Sequence, residues 1–219
     1  MFVRSSSPAG LWSSRRGDFD LITDSKWHVT GIEAIPIALP VRREWLWRGL
    51  TVQLGRWVIV RVHTEGGLTG LGEATPVPDW GGDFNRYAGE TPATVVHVVE
   101  EFLQPALKGS NPFDVETIVQ RFDGVIRGHT YAKAAVEMAL FDLQGKITGQ
   151  PLYRLLGGRF RQGVRIAHMI GLMSRDEAVD EARRVVEEGC TAFQVKGTGD
   201  LERDCELVAA LRAEFGKAS

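Results

Sequence analysis

Apolar and polar positions alternate with a period of two between Thr51 and Thr64, where Val58, Val60 and Val62 fall on one side and Trp57, Ile59 and Arg61 on the other. Successive side chains of a strand leave opposite faces, so this pattern predicts a half-buried strand. His28 to Leu39 and Leu68 to Ala74 flank it as further strands, and Glu65-Gly66-Gly67 supplies a hairpin turn before the last of them. The expectation is a three-stranded antiparallel meander.

Beyond Glu90 the period lengthens. Val95, Val98, Val99 and Phe102, then Val115, Ile118, Val119 and Phe122, recur at i, i+3, i+4 and i+7, the stripe of a helix with one buried face. Thr91-Pro92 and Asn111-Pro112 each place a capping side chain before a proline at the first helical position. Ala132, Ala135, Val136, Ala139, Leu140 and Leu143 give a third helix a small-residue face suited to close packing. These stripes read as core.

After Gly157-Gly158 the pattern becomes strand (Val164 to Leu172), helix (Ser174 to Gly189), strand (Ala192 to Lys196) and helix (Asp200 to Phe215). Ser174-Arg175-Asp176-Glu177 is a capping box. Strand and helix in alternation with short connections predict a parallel sheet of βα units. The fold class is therefore an α+β domain over residues 27–158, followed by two βα units over 159–219. Two such units neither close a barrel nor shield both sheet edges, and an eight-fold barrel takes roughly 250 residues. The chain is expected to be truncated, the front part of a longer protein.

Composition narrows the function classes. A chain of 219 residues with 43% hydrophobic and 25% charged residues can bury a core, and its formal charge of -2 gives no reason to expect nucleic acid or an acidic membrane as partner. No apolar run reaches the roughly 18 residues of a spanning helix. Cys190 and Cys205 form no CxxC pair, which points to neither zinc nor disulfides and suits a reducing cytoplasm. Residues 1–26 hold Ser5, Ser6, Ser7, Ser13 and Ser14 with Arg4, Arg15 and Arg16, and no acid precedes Asp18. They read as a disordered or extra segment, with a transit peptide as the alternative and no apolar core for a secretory signal.

The stretch Ala132 to Gly158, AKAAVEMALFDLQGKITGQPLYRLLGG, resembles the segment joining capping domain and barrel in the mandelate racemase and muconate lactonizing enzyme branch of the enolase superfamily. Its ALFDL, GK, GQPLY and LLGG parts stand in the family's order, and the resemblance extends over about Val29 to Gly216. It implies an enolase-like N-terminal capping domain over 27–158 and the opening of a TIM-type barrel over 159–219.

The chemistry turns on AFQVKGTGD, residues 192 to 200. Residues two apart in a strand face together. Gln194 and Lys196 therefore share one face, while Phe193 and Val195 face a helix layer. Polar side chains at the carboxyl end of a barrel strand look into the active-site mouth. A lysine removes a proton beside a carboxylate near neutrality only if its pKa falls from about 10.4, through burial or nearby cations. In the family the second strand ends in Lys-x-Lys, the second lysine is the acid/base, and Mg²⁺ stabilises the enediolate. The resemblance thus implies Lys196 as the catalytic residue and Mg²⁺ as cofactor. Here the first position is Gln194, a neutral amide that can hydrogen-bond a substrate carboxylate but cannot act on the amine by like-charge repulsion. The bland alternative is a solvated lysine at a strand end.

The family's metal carboxylates end its third, fourth and fifth barrel strands, so ligands and the second acid/base are expected beyond Ser219 and no metal ligand is assigned here. Two loops are candidates for substrate binding. Pro76 to Glu90 holds Asp79, Trp80, Asp83, Arg86 and Tyr87, and Pro40 to Gly49 holds Arg42, Arg43, Trp45, Trp47 and Arg48. Long loops without regular structure are often binding segments, and arginine receives carboxylates. In the family two capping-domain loops set substrate choice, which implies substrate-binding roles for Trp80, Tyr87 and Arg48. Packing of these aromatics on a neighbouring subunit is the alternative; a homo-oligomer is expected.

Other features carry less. Gly197-Thr198-Gly199 precedes a helix as an anion loop should, but Glu202 replaces the third glycine of a dinucleotide fingerprint and no Walker lysine follows. Asp200 reads better as an N-cap. Asp142, Lys146 and Lys133 suit helix ion pairs. His97 and Glu101 share a helix face without a third metal ligand. The expected function is the N-terminal portion of a Mg²⁺-dependent racemase, epimerase or cycloisomerase acting on a small carboxylate and inactive alone. Acid-sugar dehydration and a non-catalytic fragment or scaffold are the alternatives.

Overall fold

The computed structural model describes residues 22–41, 55–80 and 89–216. Arg48 and Tyr87 lie outside the described residues, as do Arg42, Arg43, Trp45, Trp47, Asp83, Arg86 and residues 1–21. Strands β1 (Val29–Ala38), β2 (Arg56–Thr64) and β3 (Thr69–Ala74) form the antiparallel meander in the order β1-β2-β3. Val58, Val60 and Val62 are fully buried, each contributing roughly 1.5–3 kcal/mol.

Helices cover that face. Helix α1 (Pro92–Val98) starts where expected, with the Thr91 hydroxyl oxygen accepting from the Thr94 N–H. It continues through a π-helical turn, Val99–Leu103, into α2 (Gln104–Leu107). The π turn adds a residue to the circuit, so the apolar stripe moves by one: Leu103 is buried, whereas Phe102 lies edge-on against His97. Pro105 stands two residues beyond the turn, and its missing N–H and its clash with the preceding turn are a physical cause for the widening. The cap expected at Asn111 is also displaced. The Asn111 Oδ1 accepts the Phe113 N–H at 3.0 Å and closes a turn, and α3 (Val115–Val125) begins behind Asp114. A side chain that caps a helix serves equally well in an Asx-turn.

Helix α4 (Thr130–Thr148) buries the predicted small face, Ala132, Ala135, Val136, Ala139, Leu140 and Leu143. It lies directly on the backbone of Gly70 and Gly72 in β3, where any Cβ would run into the carbonyls of Ala139 and Ala135. Asp142 accepts the Leu71 N–H at 2.8 Å, while the Lys146 ammonium donates to Asp142 at 2.6 Å and to the Thr69 carbonyl at 2.7 Å. The ion pair thus also closes on groups of the outer strand that would otherwise face solvent. Lys133 pairs with Asp123 at 2.7 Å.

A short helix, α5 (Leu152–Leu155), leads to the second unit. Its strands β4 (Ala167–Ile170) and β5 (Ala192–Val195) pair in parallel, each followed by a helix, α6 (Arg175–Glu187) and α7 (Leu201–Phe215). Strand β4 is shorter than the predicted Val164 to Leu172, because β5 pairs only with Ala167–Ile170 and Val164 and Ile166 stay exposed. Ile170, Ala178, Ala182, Leu207 and Leu211 form a core separate from that of the first unit, with Phe193 and Val195 packed against it. Among the described residues no helix is long and apolar enough to cross a membrane.

The predicted capping box is complete. Ser174 Oγ accepts from the Glu177 N–H at 3.3 Å, and Glu177 accepts from the Ser174 hydroxyl at 2.6 Å and its N–H at 2.8 Å. The Ser174 hydroxyl first, then its backbone N–H, hold the Glu177 carboxyl below its usual 4.5. A carboxyl lowered in the folded state stabilises above its unfolded value and loses that contribution as pH falls through the folded one. Amides in the first turn of α6 are therefore expected to lose exchange protection below a pH of about 4.5, and Glu177→Gln should flatten that dependence.

Candidate functional site

The parallel ladder continues one residue past β5, since the Lys196 N–H donates to the Ile170 carbonyl at 3.0 Å. Phe193 and Val195 pack into the second core, which turns Gln194 and Lys196 to the other face. Gln194 is exposed and Lys196 half-buried. Lys196 lines a notch of about 20 Å³ with the loop after β4 (Gly171, Leu172, Met173) and the start of α7. That volume holds about one water molecule. Among the described residues nothing accepts a hydrogen bond from the Lys196 ammonium. The sequence-predicted pair is thus brought together at the carboxyl ends of two parallel strands, with the amine unengaged.

The Gly-Thr-Gly loop is no anion cradle, because an internal carboxylate already fills it. Asp204 accepts from the Thr198 N–H at 2.9 Å, the Thr198 hydroxyl at 2.8 Å and the Gly199 N–H at 3.4 Å. The Thr198 N–H first, then its hydroxyl and the Gly199 N–H, hold the Asp204 carboxyl below the usual 3.8. Asp200 is the N-cap, accepting from the Arg203 N–H at 3.3 Å. Sequence reasoning missed Asp204. The available signal was its position, one helical turn inside the cap and beneath a glycine-rich connection.

Trp80, by contrast, belongs to the first unit and does not line the notch. It is exposed, its N–H donates to the Val77 carbonyl at 3.3 Å, and its own carbonyl accepts from the Tyr131 hydroxyl at 3.3 Å. The Glu90 N–H donates to the same Val77 carbonyl at 3.3 Å, and Gly89 has no room for a Cβ against the Pro78 backbone. The buried Glu90 carboxylate accepts the Tyr131 and Ala132 N–H groups at 2.7 and 3.4 Å, capping α4 from far along the chain. Burial, with the Glu90 and Asp79 carboxylates nearby, pushes the Tyr131 phenol up. These bonds join Trp80 to the start of the long helix, not to Lys196.

Among the described residues no three His, Cys, Asp or Glu side chains converge as a cation site requires, His97 and Glu101 included.

Comparison with known proteins agrees with this architecture. The profile of the mandelate racemase / muconate lactonizing enzyme N-terminal domain matches residues 38–157. The chain is similar to the N-succinyl-L-Arg/Lys racemase of Bacillus cereus, 30% identical over 193 residues that cover 86% of this chain and 49% of the racemase. The crystal structure of that racemase superposes with a TM-score of 0.78 at 28% identity, over 87% of this chain and 50% of that one. A chloromuconate cycloisomerase of Cupriavidus pinatubonensis is 34% identical over 187 residues, 84% of this chain and 49% of the enzyme. A cis-3-hydroxy-L-proline dehydratase of Roseibium aggregatum is 32% identical over 192 residues, 87% and 50% of the two chains. The chain spans about half the length of the curated relatives it matches.

Proposed function

This chain belongs to the mandelate racemase and muconate lactonizing enzyme branch of the enolase superfamily, and from that premise we propose that it supplies the proton-transferring lysine of an isomerase acting beside a carboxylate. The observation that carries the reading is Lys196: half-buried at the carboxyl ends of two parallel strands, with no described partner for its ammonium and Gln194 on the same face. The amine takes the proton from the carbon α to the carboxylate, and the bonding pair passes into the carboxylate as an enediolate. A second acid on the opposite face, not among the described residues, would deliver a proton there to give the epimer, and the Lys196 ammonium would release the abstracted proton to solvent. The Gln194 amide N–H donates to a carboxylate oxygen and holds the substrate over the amine.

The family is generally Mg²⁺-dependent, and a bound ion would offset the negative charge that builds on the carboxylate oxygens. The described residues do not form its site, so no step here passes through it. Substrate-contacting roles for Trp80, Tyr87 and Arg48 belong to the same proposal, as do homo-oligomeric assembly and a cytoplasmic setting. Racemisation of an N-acylated amino acid or cycloisomerisation is the reading supported by the racemase and cycloisomerase relatives. Loss of water from a hydroxy acid is a second one, favoured by the similarity to the dehydratase.

The gene product at its full length, incubated in D₂O with N-succinyl-L-arginine, N-succinyl-L-lysine, a chloromuconate and cis-3-hydroxy-L-proline, is expected to deuterate, cyclise or dehydrate at least one of them. Folded protein that leaves all four unchanged would speak against the proposal.

A further inference from the structure

We propose that Asp204 is the positioning residue for the Lys196 amine; this rests on the reading of Lys196 as the proton-transfer base. The backbone leaves the sheet at Lys196 and enters α7 at Leu201. Such a connection is an opportunity for motion, and this one contains two glycines, of which Gly199 has a φ of 88°. What holds it is a carboxylate on the helix it leads into. Asp204 gathers the Thr198 N–H, the Thr198 hydroxyl and the Gly199 N–H. The Thr198 oxygen in turn accepts the Asp200 N–H at 3.1 Å. A Cβ on Gly197 would stand 3.2 Å from the Asp204 Oδ2, so the carboxylate also rests against the backbone next to Lys196.

The neighbouring residue does the same for the other wall. The Arg203 guanidinium donates to the Met173 carbonyl at 3.2 Å, tying the loop after β4 to the same turn of α7. Both strand-end loops that shape the notch around Lys196 are therefore fastened to one helical turn. The backbone from which the Lys196 side chain springs is thus fixed through Thr198 and Gly199, while its ammonium has no described partner. Placement matters at this scale, because an error of about 1 Å can cost up to about 100-fold in rate. The simpler role for an acid here is to favour the helix N-terminus through the dipole, which would leave Lys196 indifferent to its loss.

Competitive acetic anhydride labelling of the 219-residue chain, read by mass spectrometry, separates the two. In Asp204→Ala the labelling of Lys196 relative to exposed Lys108 should rise roughly threefold or more, with faster amide exchange at Thr198 and Gly199, while α6 keeps its protection. Thr198→Val should move the same readouts in the same direction. Asp204→Asn, which keeps an acceptor for the Thr198 N–H, should recover most of the difference. Unchanged labelling and exchange in Asp204→Ala would overturn the proposal, as would a change shared equally by the amides of α6. In the full-length gene product with N-succinyl-L-arginine in D₂O, Asp204→Ala should lower kcat about 10- to 100-fold and leave KM within about threefold. Wild-type exchange in Lys196→Ala would remove the base reading, while the labelling result would still decide what Asp204 does.

Discussion

Lys196→Ala is expected to slow α-hydrogen exchange by about 10²- to 10⁴-fold, the usual contribution of a positioned general acid or base. KM should move little, because in the proposed reading Gln194 still holds the carboxylate and the amine acts in the transition state rather than in binding. Lys196→Arg should be as slow as the alanine variant. Arginine preserves the positive charge but does not release its proton in a protein, so it cannot accept one from carbon. That pair of variants separates proton transfer from simple charge attraction. Neither substitution should unfold the protein: the ammonium makes no bond to a described residue, and substitutions at such positions are usually within about 0.5 kcal/mol. A loss of activity accompanied by a large loss of stability would mean that Lys196 is structural.

Gly72→Ala should strongly destabilise the fold, by about 3 kcal/mol or more, a large share of the roughly 5–15 kcal/mol that holds a domain folded. The cause lies in the closeness of α4 to β3. A methyl on Gly72 points at the Ala135 carbonyl and carbon, and one on Gly70 at Ala139 and Leu143. The obstructing atoms at Gly72 are main chain of a helix that also buries Val136, Leu140 and Leu143. Relief therefore requires the helix to move off the sheet, not a side chain to turn. Gly124→Ala is the contrasting case, since nothing lies within 4 Å of the added carbon and the site is inside α3. There alanine should stabilise by up to about 0.5–1 kcal/mol. Urea unfolding of the two variants checks both signs, and a Gly72→Ala protein within about 1 kcal/mol of the wild type would refute the packing argument.

The parts of this architecture that were legible in the sequence are those governed by local periodicity and caps. Val58, Val60 and Val62 alternate because one sheet face is buried, and the Ser174 to Glu177 box and the Asp200 cap satisfy amides within their own helix turns. The π turn before Pro105 was not legible, because its signature is a hydrogen-bond spacing and no residue type encodes it alone. Asn111 was misplaced since the same side chain can cap or turn. The candidate site divides in the same way. The shared face of Gln194 and Lys196 follows from strand parity, and Gly199 announces a turn. The tie from Asp204 to Thr198, and the reach of Glu90 to the start of α4, depend on which segments meet after folding. Periodicity holds no record of that. Arg48 and Tyr87, proposed from their loops, lie outside the described residues, and Trp80 is bound to the α4 side of the molecule through Tyr131.

The most direct test of the central claim is the initial rate of α-deuteration by full-length Lys196→Ala in the absence and presence of added ethylamine. The rate should be near background without the amine and rise in proportion to its concentration, as a small base takes the space the side chain vacated. Exchange by the substituted protein at the wild-type rate, with no amine present, would contradict it.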